Sequence, residues 1–195
     1  MTQARWWTGS LALAVCCSFW LVATAEEKAK ETQEVEARDL KLVVPKAWKQ
    51  EEPSSRFRVA QFKIAAAEGD KEAAELVITQ FGGGGGPVND NLKRWVNQFQ
   101  GKDRKVKITK GKCPQGEYYL VDATGIYNRP DGPPIAGKTV PVAGQRMLAI
   151  MLLIEDKGSY FLKLNGSEKT VAGVADDLRA AISAKASDEK EHKTE

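Results

Sequence analysis

Leu76–Gly101 reads LVITQFGGGGGPVNDNLKRWVNQFQG, and the way this stretch is divided decides the fold. Leu76–Phe81 is a short apolar run of strand length, cut off by five consecutive glycines, Gly82–Gly86. Pro87 suits a first helical position, where its missing N–H would be unpaired anyway. Val88, Leu92, Trp95, Val96 and Phe99 then recur at the spacing of one apolar helix face, and Gly101 ends it. A strand feeding through a loop into a helix that must bury a tryptophan and a phenylalanine against a sheet is an α+β arrangement. A strand, a glycine loop and a helix also cradle phosphate in nucleotide-binding folds, but the details here point elsewhere. A P-loop ends in Gly-Lys-Ser/Thr, whereas Gly86 is followed by Pro87, Val88 and Asn89. Five glycines satisfy a dinucleotide fingerprint only trivially, without the βαβ unit and the acid about 20 residues on. The run reads as a hinge, although one turn needs fewer glycines and each costs entropy on ordering.

Upstream, Arg56–Ala65 alternates, with Phe57, Val59, Gln61 and Lys63 on one side and Arg58, Ala60, Phe62 and Ile64 on the other. With the polar turn Ala66–Ala73 and the strand Ala74–Phe81 it predicts an antiparallel hairpin. Leu40–Val44 predicts a strand that stops at Pro45, and Trp48 caps one end of the core. Glu26–Asp39, rich in charge and poor in apolar residues, reads as a flexible tether. Before it, Arg5 is the sole charge, Leu11–Val22 is apolar and Ala23-Thr24-Ala25 is an A-x-A site, so residues 1–25 read as a secretory signal peptide, with an uncleaved anchor as the alternative. Cleavage would remove Cys16 and Cys17, leaving Cys113 without an intramolecular partner. The formal charge of +3 falls to +2 on subtracting Arg5, which gives no reason to expect nucleic acid as a partner.

Downstream, Lys102–Lys112 carries six basic residues and one acid, Asp103. It reads as a lysine-guarded edge strand in preference to a polyanion stripe, with Val106 and Ile108 facing the core. Gly116–Asn128 predicts another strand. Asn128–Gly144, with four prolines and three glycines, predicts a long loop of the kind that often carries function. Arg146–Glu155 and Ser159–Leu164 form the plainest hairpin, and Ser167 is placed as N-cap of a last helix, Glu168–Lys185, whose apolar face is Val171, Val174, Leu178 and Ile182. The domain plan is therefore a single α+β domain over residues 40–185, followed by a disordered polar tail, 186–195.

Little in the chain supports catalysis. The single histidine, His192, falls in that tail, so Cys113 lacks a base, and Glu117, Asp122 and Asp156 are not spaced for acid–base work. Met147 and Met151 read as core filler before copper ligands. No metal or cofactor is expected, and the ligand-binding candidates are Gly82, Gly83, Gly84, Gly85 and Gly86 with Asn128 and Arg129 of the long loop.

Pro45-Lys46-Ala47-Trp48, Phe57–Phe62, Phe81 with its glycines, Arg94–Phe99 and Tyr160–Gly166 together resemble a family of secreted bacterial proteins without an established activity, over Leu40–Ile182. More distantly, the element order is similar to the PsbP-like α/β sandwich. That resemblance implies a mostly antiparallel, twisted sheet of about six or seven strands with two main helices packed on it, and mostly non-enzymatic binding or assembly roles. The leading expectation is a non-catalytic exported envelope protein, a binding or assembly module for an envelope partner. The alternatives are a periplasmic protein that binds a small molecule or anion through the glycine loop, and a hydrolase with an unrecognised site.

Overall fold

The computed structural model describes Met1, residues 30–132 and residues 137–194; the signal peptide expected over residues 1–25 lies outside the described residues apart from Met1. The described elements run β1 (Thr32–Ala37), β2 (Leu40–Pro45), β3 (Lys49–Glu51), β4 (Arg58–Ile64), β5 (Ala74–Phe81), α1 (Val88–Val96), β6 (Phe99–Cys113), β7 (Gly116–Pro130), β8 (Thr139–Ile154), β9 (Gly158–Ser167), α2 (Glu168–Ala172), α3 (Ala175–Ala181) and β10 (Lys190–Glu191). One antiparallel sheet has eight strands in the order β10-β6-β7-β8-β9-β5-β4-β3, and β1 with β2 forms a separate two-stranded sheet. The protein is thus more sheet-rich than six or seven strands with two main helices. The expected last helix is two short ones, α2 and α3, with Gly173 between them.

The centre of the large sheet is buried on both faces, which is why Met147–Ile154 is an almost continuous apolar run where an outer strand would alternate. On one face Phe62, Leu76, Ile78, Leu148, Ile150 and Leu162 pack beneath Leu40, Leu42 and Val44 of β2, with Leu178 and Ile182. Trp48 meets Phe62 edge-on there, at 6.4 Å between ring centroids. On the other face Val121, Ala123, Met147, Ala149, Met151 and Phe161 pack with Leu92, Trp95 and Phe99. Met147 and Met151 are fully buried in this second core. Among the described residues α1 is the helix that covers that face, and nine residues make about 14 Å of helix. It lies against β6 and β7 and reaches β9 through Trp95 on Phe161, leaving the outer surface of β4, β5 and the rest of β9 without a covering helix among the described residues.

Five sequence expectations need correction. The helix expected to carry Phe99 on its face and to end at Gly101 stops at Val96, and Phe99 and Gly101 already belong to β6. Thr32–Ala37, expected as tether, pairs with β2 as β1: Gln33, Val35 and Ala37 alternate inward, and intervening glutamates disguise the pattern. The tail expected to be disordered is tied down. The side chain of Glu189 is 3% exposed, accepts from Thr109 Oγ1 (2.8 Å) and pairs with Arg179 (2.8 Å), and β10 then pairs with β6. Most of the loop expected over Asn128–Gly144 is paired backbone, with Asn128 opposite Pro141 and Arg129 opposite Val140, so that only 131–138 connects the strands. Prolines at an outer hairpin arm hide such a strand from pattern reading. Finally Val106, expected to face the core, is 37% exposed, because over this span β6 is an edge strand that β10 meets only at Thr109 and Lys110.

Ser167 sits at the N-cap of α2 as expected, yet its side chain does not cap the helix. The N–H of Thr170 donates instead to Asp70 Oδ2 (3.0 Å), from the distant β4–β5 turn. Hydroxyl donation from Ser167 and then Thr170 holds the Asp70 carboxyl below the usual range. No described helix is long and apolar enough to cross a membrane.

Candidate functional site

The sheet surface that α1 leaves open is the floor of a cleft of about 690 Å³. Its walls are α1 on one side and the β7–β8 hairpin, through Arg129, Pro130 and Gly132, on the other. The floor follows from strand alternation. Glu75, Val77, Thr79 and Phe81 of β5 face outward opposite Asn165, Lys163, Phe161 and Ser159 of β9, while Leu76 and Ile78 face the core.

Arg58 reaches this floor because of a bulge. Alternation puts it on the side of Ala60 and Phe62, but the β4–β5 register shifts between Arg58 and Ala60, so Arg58 lies opposite Thr79 while Ala60 lies opposite core-facing Ile78. A bulge adds one residue and turns the next side chain over, which is how a site can be re-aimed without disturbing the core. Sequence periodicity alone carries no sign of it.

One end of the cleft is aromatic. Phe161 is flanked by Phe81 (centroids 5.2 Å) and by Trp95 in an edge contact (5.4 Å). Phe81, beside Phe161, is 40% exposed. Trp95, expected as core against the sheet, is indeed buried, and it also lines the cleft.

The other end is charged and unevenly matched. Four cations (Arg58, Arg94, Arg129, Lys163) and two carboxylates (Glu72, Glu75) line it. Arg58 pairs with Glu75 (2.9 Å) and Arg129 with Glu72 (2.8 Å), so both carboxylates are committed. Arg94 donates to the neutral Asn91 Oδ1 (2.6 Å). Lys163 Nζ donates to Gln98 Oε1 (2.6 Å) and the Tyr127 hydroxyl (3.1 Å), and it stands 5.2 Å from the centre of the Tyr127 ring. Burial first and the Arg94 charge second push Lys163 down to about 8. Burial also raises the Tyr127 phenol. Among the described residues Asn165 Oδ1, at the same end, is buried and accepts no hydrogen bond.

The sequence candidates divide accordingly. Arg129 lines the cleft, whereas Asn128 accepts from Gln100 (3.0 Å) outside it. Gly82–Gly86 do not line it either; they buttress it. Gly84, Gly85 and Gly86 have φ of +83°, +70° and +86°, and a side chain on Gly85 would lie 2.6 Å from Phe161 Cζ. Gly84 O accepts from Ser159 Oγ (2.7 Å), and Asn91 Nδ2 donates to Gly85 O (2.9 Å), which locks the loop to β9 and α1. Three of the five glycines thus have a conformational reason, and Gly82 and Gly83 stand in open space. Lys163, Asn165, Arg58 and Phe161 were not singled out as site residues. The one available signal was a lysine and an asparagine alternating with leucines in a strand that otherwise reads as core.

The remaining chemical candidates lie outside the cleft. Cys113 is half-buried at the β6–β7 turn, Glu117 accepts from the Tyr119 hydroxyl (2.7 Å), and Asp122 receives a two-pronged contact from Arg146 (2.9 and 2.7 Å). His192 meets the Tyr119 ring at 4.9 Å and bonds Asn89 (2.9 Å). Asp156 forms the β8–β9 turn at φ +60°.

No protein-family model matches this chain, and no curated protein matches it. Among solved structures it is similar to the solution structure of cyanobacterial PsbP (CyanoP) from Synechocystis sp. PCC 6803, with 14% identity and a TM-score of 0.45, covering 88% of this chain and 99% of that one.

Proposed function

We propose that this is a non-catalytic exported binding protein whose ligand is a small molecule held in the cleft between α1 and the β7–β8 hairpin. One observation carries the reading: a cleft of about 690 Å³ joins an aromatic end to a half-buried lysine that has no carboxylate partner among the described residues. Small-molecule sites of about 300–1,000 Å³ typically combine an apolar wall with a few placed polar groups. An unpaired, desolvated cation weakens the fold, which is a reason to connect it with ligand recognition. The export part rests on the N-terminal sequence. The non-catalytic part is supported by the commitment of both cleft carboxylates to arginines, which leaves neither placed as a base.

The test is a thermal-shift screen of the purified protein against small metabolites, repeated on Thr79→Trp, which fills the floor beside Phe161. A ligand that binds only the folded state raises Tm. At least one compound is expected to raise Tm of the wild type by several degrees and to leave folded Thr79→Trp unmoved. Compounds that stabilise both chains equally would exclude the cleft as the site. A wild type that no compound stabilises would turn attention to a protein partner.

A further inference from the structure

The composition of the β9 floor specifies the ligand more closely, on the premise that the cleft is the binding site. Phe161, Lys163 and Asn165 alternate with buried Leu162 and Leu164, so they project from one face at intervals of about 7 Å. They present three different chemistries in line. Phe161, buried between Phe81 and Trp95, makes an aromatic surface together with the exposed Phe81. Lys163 offers a donor: an ammonium has three N–H groups, and two are taken by Gln98 and Tyr127. Asn165 offers a buried acceptor with no donor among the described residues, and an unsatisfied buried acceptor is costly unless something reaches it.

We propose that the cleft binds a ring-bearing carboxylic acid that also carries a hydroxyl or amino donor: the ring lies against Phe161 and Phe81, the carboxylate takes the remaining Lys163 N–H, and the donor satisfies Asn165 Oδ1. The supply of donors fits one carboxylate. A lysine N–H with Arg94 alongside is fewer donors than a phosphate dianion would engage, since Arg58 and Arg129 are already paired. The depressed basicity of Lys163 agrees with this, because a bound anion would restore the charge that burial and Arg94 disfavour. Glu75 also faces this end, so a ligand with an amino donor would meet a carboxylate there as well.

Four probes separate these elements by titration calorimetry on the purified protein: 3-phenylpropionate (ring and acid), 3-phenyllactate (ring, acid and hydroxyl), 2-phenylethanol (ring and hydroxyl) and inorganic phosphate. 3-Phenyllactate is expected to bind about tenfold more tightly than 3-phenylpropionate, the worth of one hydrogen bond to an otherwise unsatisfied buried group. Asn165→Ala should erase that preference. Lys163→Met should weaken both acids at least tenfold and leave 2-phenylethanol unchanged, and Lys163→Arg should keep part of the affinity for the acids. Equal affinity for the two acids, a preference that survives Asn165→Ala, phosphate as the tightest probe, or no binding by any acid each overturns the assignment. If Thr79→Trp abolishes binding of 2-phenylethanol while Lys163→Met leaves the acids untouched, the cleft stands as the site and the ligand class falls.

Discussion

Lys163→Met should make the protein more stable at neutral pH while removing its affinity for anions. Lys163 sits beside Arg94 with its ammonium largely out of water, which lowers it from the usual 10.5 to about 8. At 1.36 kcal/mol for each pH unit, a depression of that size corresponds to about 3 kcal/mol of strain in the charged folded state. The open side of the cleft screens part of it, so a gain of about 1–3 kcal/mol is expected for methionine, which keeps the stem and drops the charge. In a chain of this length that is a rise of about 2–10 °C in Tm. The sign of the pH dependence gives a sharper test. The folded chain releases this proton more readily than the unfolded chain, so between about pH 8 and 10.5 the unfolded state binds more protons, and wild-type stability rises with pH relative to the variant. The difference between the two chains should therefore be constant below about pH 8 and shrink toward zero by about pH 10.5. Glu75, Arg94 and the Tyr127 hydroxyl face the same group, and burial holds the phenol above its ordinary value. Urea unfolding at half-unit steps from pH 6 to 10.5 measures the difference. A variant less stable than the wild type at pH 7, or a gap that does not close with pH, would refute the idea that Lys163 is a strained charge.

Gly85→Ala should destabilise the fold and weaken cleft ligands together, because the added carbon lies 2.6 Å from Phe161 Cζ at a φ of +70°, whereas Gly82→Ala and Gly83→Ala, in open space, should leave the unfolding free energy from urea titration within about 0.5 kcal/mol of the wild type. Glu189→Ala removes the close partner of Arg179, leaves it the exposed Asp176 at 3.6 Å, and should cost about 3 kcal/mol in chemical denaturation, while the double replacement Arg179→Met with Glu189→Leu should cost much less. Asp70→Asn should lower Tm at pH 7 by weakening the cap on α2; the carboxyl lies below its ordinary 3.8, so wild-type stability from this group is lost as pH falls through that lowered value, and the gap to the variant should close there.

The elements that were legible in the sequence are those whose partners are near neighbours in the chain. The strand ending at Pro45 and the face Val88, Leu92, Trp95 and Val96 of α1 declare themselves through alternation or helical spacing, because burial on one side writes a period into the residues, and the Arg146–Leu164 hairpin shows as two apolar runs about a turn. Lys102–Lys112 reads as an edge strand by its lysines, and it is one except at Thr109 and Lys110, where β10 pairs with it. What was not legible depends on contacts between distant residues. Glu189 looks like one more acid in a polar tail until Arg179, Thr109 and Tyr118 close around it. Asp70 looks like a turn residue until Thr170, a hundred positions away, donates to it. The cleft was hidden in the same way: Arg58 enters it through a register shift that has no signature in alternation, and Lys163 with Asn165 belongs to a strand whose leucines dominate the pattern.

The glycine run acquires a different meaning once the cleft is placed. Its backbone does not reach the cleft, so replacing the loop as a whole would not remove a ligand contact. It does set where α1 begins, through Asn91 on Gly85 and Pro87, and it leaves room for the Phe161 ring, through the missing side chain of Gly85. The width of the cleft between α1 and β9 is thus a property of three residues with positive φ. Gly84→Ala, which meets nothing but must hold φ at +83°, should lower stability without moving Phe161, and cleft affinity should be kept; Gly85→Ala should lose both. Parallel loss of affinity in the two variants would mean that the loop touches the ligand after all, and the separation of the two readouts is what assigns Gly82–Gly86 to support instead of recognition.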